Sequence, residues 1–191
     1  MTEKTLHLVG ISGSLRAGSF SAALLSEIVA MSDDRTRITA FRLHDVPLYN
    51  QDLEPAHGSA PAPVLALREA IAAADGLIVV SPEYNWGMSG VLKNALDWAS
   101  RPGYKSVLAG KPALIITTSP FPLGGVRAQT QVRQTLCATL SRVVNRPEIV
   151  VAHVGDKLAS GHLTDETTRS HIKSGLADLA AEVTRTLSHS T

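Results

Sequence analysis

At 191 residues, 44% hydrophobic and 18% charged, the chain is long and apolar enough to bury a sizeable core, and one domain spanning residues 1–191 is expected. A formal charge of +1 gives no electrostatic reason for a nucleic acid or an anionic membrane as partner, and it argues against a strongly acidic carrier protein. The first residues lack a signal-peptide core, no apolar run approaches the ~20 residues that cross a bilayer, and the single cysteine, Cys137, cannot pair within the chain. A cytoplasmic protein without a membrane span is expected, with Cys137 as a small core residue on a helix.

The first element is an apolar run over residues 6–12, read as a short buried strand. A loop of small residues follows, Gly13-Ser-Leu-Arg-Ala-Gly-Ser-Phe-Ser21, and then a helix over residues 22–31 with Leu24, Ile28 and Met31 on one face. The loop combines glycines that let the backbone turn and approach a ligand, the hydroxyls of Ser14, Ser19 and Ser21, the Arg16 guanidinium and the free N–H groups of a helix start, with no carboxylate. Several convergent donors, one cation and no repelling charge suit a terminal phosphate. The loop is neither a Walker A motif nor a Gly-x-Gly-x-x-Gly fingerprint, so the position between strand and helix carries the inference.

Residues 37–43 alternate weakly and read as a second, edge strand. A connection over residues 45–63 holds four prolines and one glycine, and its Val46, Leu48, Tyr49 and Leu53 imply packing on the domain's own surface or on a neighbouring subunit. Val64, Leu67, Ile71 and Ala74 fall at helical spacing. Residues 76–81 form a continuous apolar run, as in a central parallel strand covered on both faces. Then come a loop, Pro82-Glu-Tyr-Asn-Trp-Gly-Met-Ser-Gly90, and a helix over residues 91–99 carrying the i,i+4 pair Lys93–Asp97 and a core Trp98. Residues 113–118 are a further strand, 119–125 a second ligand-sized loop, and Val132, Leu136, Leu140 and Val143 stripe a fourth helix. Residues 149–154 form the fifth strand, and Ile172 to Leu187 stripe the last helix.

Strand and helix alternate five times without an internal repeat. That pattern predicts an α/β three-layer sandwich with a five-stranded parallel sheet in the flavodoxin-like order 2-1-3-4-5. The carboxyl ends of strands one, three and four would then share one crevice. Tyr84 and Trp86 can stack on or edge a flat ring, the amides near Glu83 and the Asn85 side chain can bond its heteroatoms, and Thr118 and Ser119 reach it from the third side. Gly87 and Gly90 leave room for a second flat molecule such as nicotinamide. Glu83 reads equally as a solvated carboxylate or a subunit contact; Arg127 could serve an anion at Gly124-Gly125, or pair with Glu148 or a neighbour. The seven histidines are scattered and no nucleophile elbow surrounds Ser14, so no catalytic side chain and no metal ligand is assigned, and a cofactor must carry the reactivity.

Gly13-Ser-Leu-Arg-Ala-Gly-Ser19, Pro82-Glu-Tyr-Asn85 and Gly90-Val-Leu-Lys-Asn-Ala-Leu-Asp-Trp98, in this order, resemble the NADPH-dependent FMN reductase family, most closely its soluble quinone and chromate reductases. The resemblance implies a flavodoxin-like fold, noncovalent FMN, NAD(P)H as hydride donor, and a homodimer or homotetramer. It also implies ping-pong two-electron reduction of a small-molecule acceptor: a quinone, or an azo compound, free flavin, chromate or an iron complex. Carried over by position, the cofactor contacts are Ser14, Leu15, Arg16, Ala17, Gly18, Ser19, Phe20 and Ser21 at the phosphate end, Pro82, Glu83, Tyr84 and Asn85 along the isoalloxazine, and Thr118 and Ser119 closing the site. Ser21, Trp86, Ser89 and the Pro120-Phe-Pro122 pair depart from the usual pattern, and the departures after the first border the open face of the ring. A one-electron FMN carrier of flavodoxin type is the alternative, opposed by Arg16, the +1 charge and the small residues after Trp86; a flavin-free binding module of the same fold is the other.

Overall fold

The computed structural model describes residues 5–54 and 60–188. Its centre is a parallel sheet built on β1 (Leu6–Ser12), β2 (Thr36–Phe41), β3 (Gly76–Tyr84) and β5 (Pro112–Thr118), in the order β2-β1-β3-β5. Strict alternation of side chains assigns each strand's apolar residues to one of two layers. Leu8, Ile78, Val80, Leu114 and Ile116 meet α1 (Phe20–Val29) and α6 (Glu166–Ser188) through Leu24, Ile28, Ile172, Leu179 and Val183. Val9, Ile11, Leu77, Val79, Ala113 and Ile115 meet α2 (Ala62–Ala73), α3 (Gly90–Ala99) and α4 (Val126–Ala138) through Leu67, Ile71, Leu92, Leu96, Val132 and Leu136. Coverage on both faces is why β5 is buried along its whole length and reads as an unbroken apolar run. The α/β flavodoxin-like fold class agrees with the sequence reading, whereas the strand count and order depart slightly from the five-stranded order 2-1-3-4-5.

Three segments differ from it. The fourth helix stops at Ala138 instead of continuing through Leu140 and Val143. Leu140 takes φ 64°, the Ser141 amide returns to the Leu136 carbonyl at 2.9 Å, and the Arg142 amide donates to the Lys111 carbonyl at 2.9 Å. Residues Arg142–Val143 therefore form β6 against the start of β5. The fifth strand is thereby split, for its second piece, β7 (Ile149–Val151), pairs with the end of β5. It also ends early, because His153 at φ 50° turns the chain into the short helix α5 (Val154–Lys157).

Residues 82–90 are not an open loop. β3 runs through Pro82 to Tyr84 and folds back on β4 (Gly87–Met88) as a hairpin, so Pro82 lies within the strand, in register with Thr118. The turn residues Asn85 and Trp86 have φ 49° and 68°, both positive as in a type I′ hairpin turn.

Smaller differences have local causes. Cys137 is exposed on α4 rather than in the core. A small hairpin, β8 (Leu158–Ala159) with β9 (His162–Leu163), precedes α6 and is held to α1 by Glu27, which accepts from the Leu163 amide at 2.9 Å and pairs with His162 at 3.1 Å. In the long connection, Val46 and Tyr49 pack on Trp98, whose indole donates to the Pro47 carbonyl at 2.8 Å, while Leu48 and Leu53 are exposed. Residues 55–59 of that connection, with His57, lie outside the described residues, as does the tail beyond 188. Lys93 and Asp97 form the expected pair, at 2.7 Å.

Candidate functional site

The three predicted loops do meet at the carboxyl ends of β1, β3 and β5. They enclose a cavity of about 150 Å³ lined by Ser14, Arg16, Ser19, Phe20, Ser21, Pro82, Glu83, Tyr84, Thr118 and Pro120. Nine of these ten come from the sequence-predicted set, and Pro120 is the addition. Leu15, Ala17, Gly18, Asn85 and Ser119 are not in the lining. Larger grooves of about 590 and 610 Å³ run along α6 at the amino ends of β1 and β2, the end opposite the crevice expected for a parallel sheet.

The loop after β1 leaves the sheet because Gly13 admits a close crossing: a Cβ there would stand 2.7 Å from Ser89 Oγ and 3.1 Å from Pro82 Cδ. The Gly13 amide stays tied to the Val80 carbonyl at 2.9 Å, which fixes the departure point. Ser19 then caps α1, its hydroxyl accepting from the Ala22 amide at 3.1 Å, so the helix starts two residues earlier than expected, at Phe20. Between these anchors, the amides of Leu15, Arg16, Ala17 and Gly18 find no acceptor among the described residues, and the amides of Phe20 and Ser21 belong to the first turn of the helix, where no intrahelical partner exists. The Ser12 hydroxyl, at the end of β1, is buried and also without a partner. Such unspent donors need water or an anion.

Arg16 is exposed at the cavity edge. Its guanidinium folds across Gly18, where a Cβ would be 2.9 Å from Nη1, and lies 5.6 Å from the Phe20 ring centroid. Ser21 and Thr118 spend their hydroxyls on each other, 2.9 Å apart and buried, and so join α1 to β5 under the cavity. The hydroxyls of Ser14 and Tyr84 stand 3.4 Å apart across the cavity, longer than an ordinary O–H···O bond and free to turn to a ligand. Ser119 turns its hydroxyl back onto the Phe121 amide at 3.1 Å.

Glu83 has a role that residue type alone did not show. One carboxylate oxygen accepts from the Arg127 and Ala128 amides at 2.9 and 3.2 Å, capping α4, and the other lies 3.7 Å from the Arg127 guanidinium. That guanidinium in turn lies 4.2 Å from the centroid of the Trp86 ring. Arg127 thus pairs with Glu83 rather than Glu148. Gly125, at φ 92°, starts α4 where a Cβ would be 2.9 Å from Thr117. The space expected beside Gly87 is filled by Gln131, whose Oε1 accepts from the Met88 amide at 3.0 Å; a Cβ at Gly87 would stand 2.5 Å from that oxygen. Gly90 does face open space. The Gly-Gly pair before a helix was the one sequence signal for this corner, and the carboxylate that caps it comes from 44 residues away.

The site is therefore a small pocket of unspent amides and hydroxyls with one cation, beside a hairpin whose Tyr84 and Trp86 are 51% and 71% exposed. It suits an anionic tail in the pocket and a flat head along the hairpin. Over 181 residues the chain is 41% identical to an NAD(P)H-dependent FMN reductase of Pseudomonas aeruginosa, covering 94% of this chain and 96% of that one. It is 38% identical over 180 residues to a 2-hydroxy-1,4-benzoquinone reductase of a Burkholderia species, covering 93% and 96%. The solved structure of FerB, a flavoenzyme NAD(P)H:(acceptor) oxidoreductase from Paracoccus denitrificans, superposes with a TM-score of 0.82 at 30% identity, covering 97% of this chain and 99% of that one. The family model described as NADPH-dependent FMN reductase matches residues 6–156, so the chain belongs to the NADPH-dependent FMN reductase family.

Proposed function

We propose that this chain, as one domain over residues 1–191, is an NAD(P)H:quinone reductase that holds FMN at the cavity described above. The observation that carries the reading is the row of amides at Leu15–Gly18 without protein acceptors, next to Arg16 and the helix start at Ser19. A phosphate monoester there would take the amides and the guanidinium fork at once. Pro82, Glu83, Tyr84 and Asn85 would follow the ring edge, with Thr118 beneath and Ser119 at the rim. The pocket's volume suits the phosphate and the chain behind it, and leaves the ring on the open hairpin side, where a donor and then an acceptor have access.

When bound, FMN supplies the two-electron redox chemistry. The protein's part is positioning: Ser14 and Tyr84 flank the entry, Glu83 fixes the hairpin to α4, and the Ser21–Thr118 bond sets the floor. Among the described residues there is no cluster of histidine, cysteine, aspartate and glutamate able to hold a metal. Quinones are the proposed acceptors, in keeping with the relatives' names. A homodimer or homotetramer in the cytoplasm completes the reading; light scattering reports the oligomer, and no helix among the described residues is long and apolar enough to cross a membrane.

The test is anaerobic mixing of the FMN-loaded protein with NADPH and with NADH, followed by 1,4-benzoquinone. The flavin absorbance should bleach with a nicotinamide and return on adding the quinone. Persistent yellow colour with both nicotinamides would overturn the reading, and a stable blue species on photoreduction would favour a one-electron carrier.

A further inference from the structure

We propose that His44 is a positioning residue of the anion site: by holding the Leu15 carbonyl it aims the Arg16 amide at the FMN phosphate. The proposal rests on the reading of FMN in the neighbouring cavity, and it gives a role to a residue outside that cavity's lining.

His44 follows β2 on a turn set by its neighbours. Leu43 is buried in the layer under α2 and α3, Val46 packs on Trp98, and the Val46 amide donates to the Leu43 carbonyl at 3.3 Å. β2 pairs with β1 up to Phe41 and Ile11, so the chain leaving β2 runs beside the chain leaving β1. From there the imidazole reaches the loop, with Nε2 3.2 Å from the Leu15 carbonyl oxygen. A carbonyl only accepts, so Nε2 carries the proton and donates it.

Among the described residues, this bond is the one tie from elsewhere in the fold to the backbone of residues 14–18. The flanks are anchored, Gly13 by the Val80 carbonyl and Ser19 by its cap on α1. The Leu15 and Arg16 side chains are exposed and cannot fix the peptide between them. A trans peptide is planar and points its C=O and N–H in opposite directions. With the Leu15 carbonyl turned to His44 on the β2 side, the Arg16 N–H faces the other way. The strand order β2-β1-β3-β5 puts the cavity on that other side, where Pro82, Glu83, Tyr84 and Thr118 line it. The next peptide is set in a similar manner: the Arg16 carbonyl accepts from the Ser19 amide at 3.0 Å, which turns the Ala17 N–H away from that bond. Two successive amides are thus aimed by what their carbonyls do, one within the loop and one through His44. A donor on the carbonyl also polarises the peptide, which strengthens its N–H toward an anion.

The test compares His44→Ala, His44→Phe and His44→Gln with wild type. Kd values for FMN and riboflavin are read from quenching of flavin fluorescence by apo-protein. Phenylalanine keeps a ring and loses the donor, whereas glutamine places an amide N–H close to where Nε2 stood. Loss of one hydrogen bond predicts that alanine and phenylalanine weaken FMN about fivefold and glutamine less than about twofold, with riboflavin changed less than about twofold in all three. In a second measurement, apo-protein is titrated with inorganic phosphate and its amides are followed by NMR. The Arg16 amide proton should move downfield in wild type and His44→Gln, and much less in His44→Phe.

Equal FMN affinity in wild type and His44→Phe would overturn the proposal. So would a loss shared by riboflavin, or one that glutamine does not restore, since His44 would then act through packing. Where alanine lowers Tm, the phenylalanine and glutamine variants, which keep the bulk, decide. A wild-type protein that binds neither flavin would instead defeat the FMN reading; the phosphate titration judges the orientation of the Arg16 amide by itself.

Discussion

Replacing Arg16 by alanine should weaken FMN binding about tenfold and leave riboflavin binding within about twofold. Hydrogen bonds to a charged group contribute about 1.5–3 kcal/mol. Arg16 is exposed at the cavity edge, so solvent screening places it near the low end, and about 1.5 kcal/mol corresponds to roughly one decade in Kd. The amides of Leu15–Gly18 remain in the variant and retain the rest of the phosphate affinity. Riboflavin lacks the phosphate and is the internal control. The assay is quenching of flavin fluorescence by apo-protein at two ionic strengths, and the FMN difference between wild type and variant should shrink at the higher one. Loss of the contact with Phe20 at 5.6 Å is worth at most about 0.5–1 kcal/mol of stability at an exposed site, and a melting curve separates it from binding. An equal loss for FMN and riboflavin would refute the reasoning, since Arg16 would then shape the loop rather than meet a phosphate.

Other consequences are equally checkable. Gly13→Ala inserts a methyl 2.7 Å from Ser89 Oγ and 3.1 Å from Pro82 Cδ, so it should cost about 1–3 kcal/mol in urea unfolding and also weaken FMN, because the loop must shift. Ser21→Ala and Thr118→Val each strand one buried hydroxyl and should each cost about 1–3 kcal/mol, whereas the double variant should cost less than their sum. The Glu27 carboxyl is held below its usual range by the Leu163 amide, with His162 and Arg169 adding to it. Its stabilising contribution is therefore complete above the unfolded carboxylate value near ~4.3 and is lost as pH falls through the lower folded value. The stability gap between wild type and Glu27→Gln, measured by denaturant titration, should shrink as pH falls from neutral through the acid range below ~4.3; a gap that acid leaves unchanged would contradict it.

The sheet was legible because β3 and β5 are covered on both faces and so become apolar runs that few other contexts produce. The donor-rich loop after β1 was legible for a related reason: tight turn, hydroxyls, one cation and a helix start lie within nine consecutive residues. What could not be read depended on partners distant in sequence. The stripe Val132, Leu136, Leu140, Val143 looks helical throughout, yet the edge of β5 captures Arg142–Val143 and the helix ends at a left-handed Leu140. Asn85 and Trp86 were not read as a hairpin turn because tryptophan is a poor candidate for positive φ. Glu83 looked like a ligand contact, a solvated group or a subunit contact; it lines the cavity and its carboxylate also closes the start of α4, a role the sequence did not show, while Gln131 fills the gap that Gly87 seemed to offer. Each miss concerns a local pattern overruled by a packing partner, and most cluster around the hairpin beside the cavity.

The most direct test of the central claim is an amide NMR titration of the apo-protein with FMN and, separately, riboflavin. The account predicts that the Leu15, Arg16, Ala17 and Gly18 amide protons move downfield with FMN and stay nearly still with riboflavin, while Tyr84 and Asn85 respond to both. Unmoved amides at 15–18 in the presence of bound FMN would contradict it.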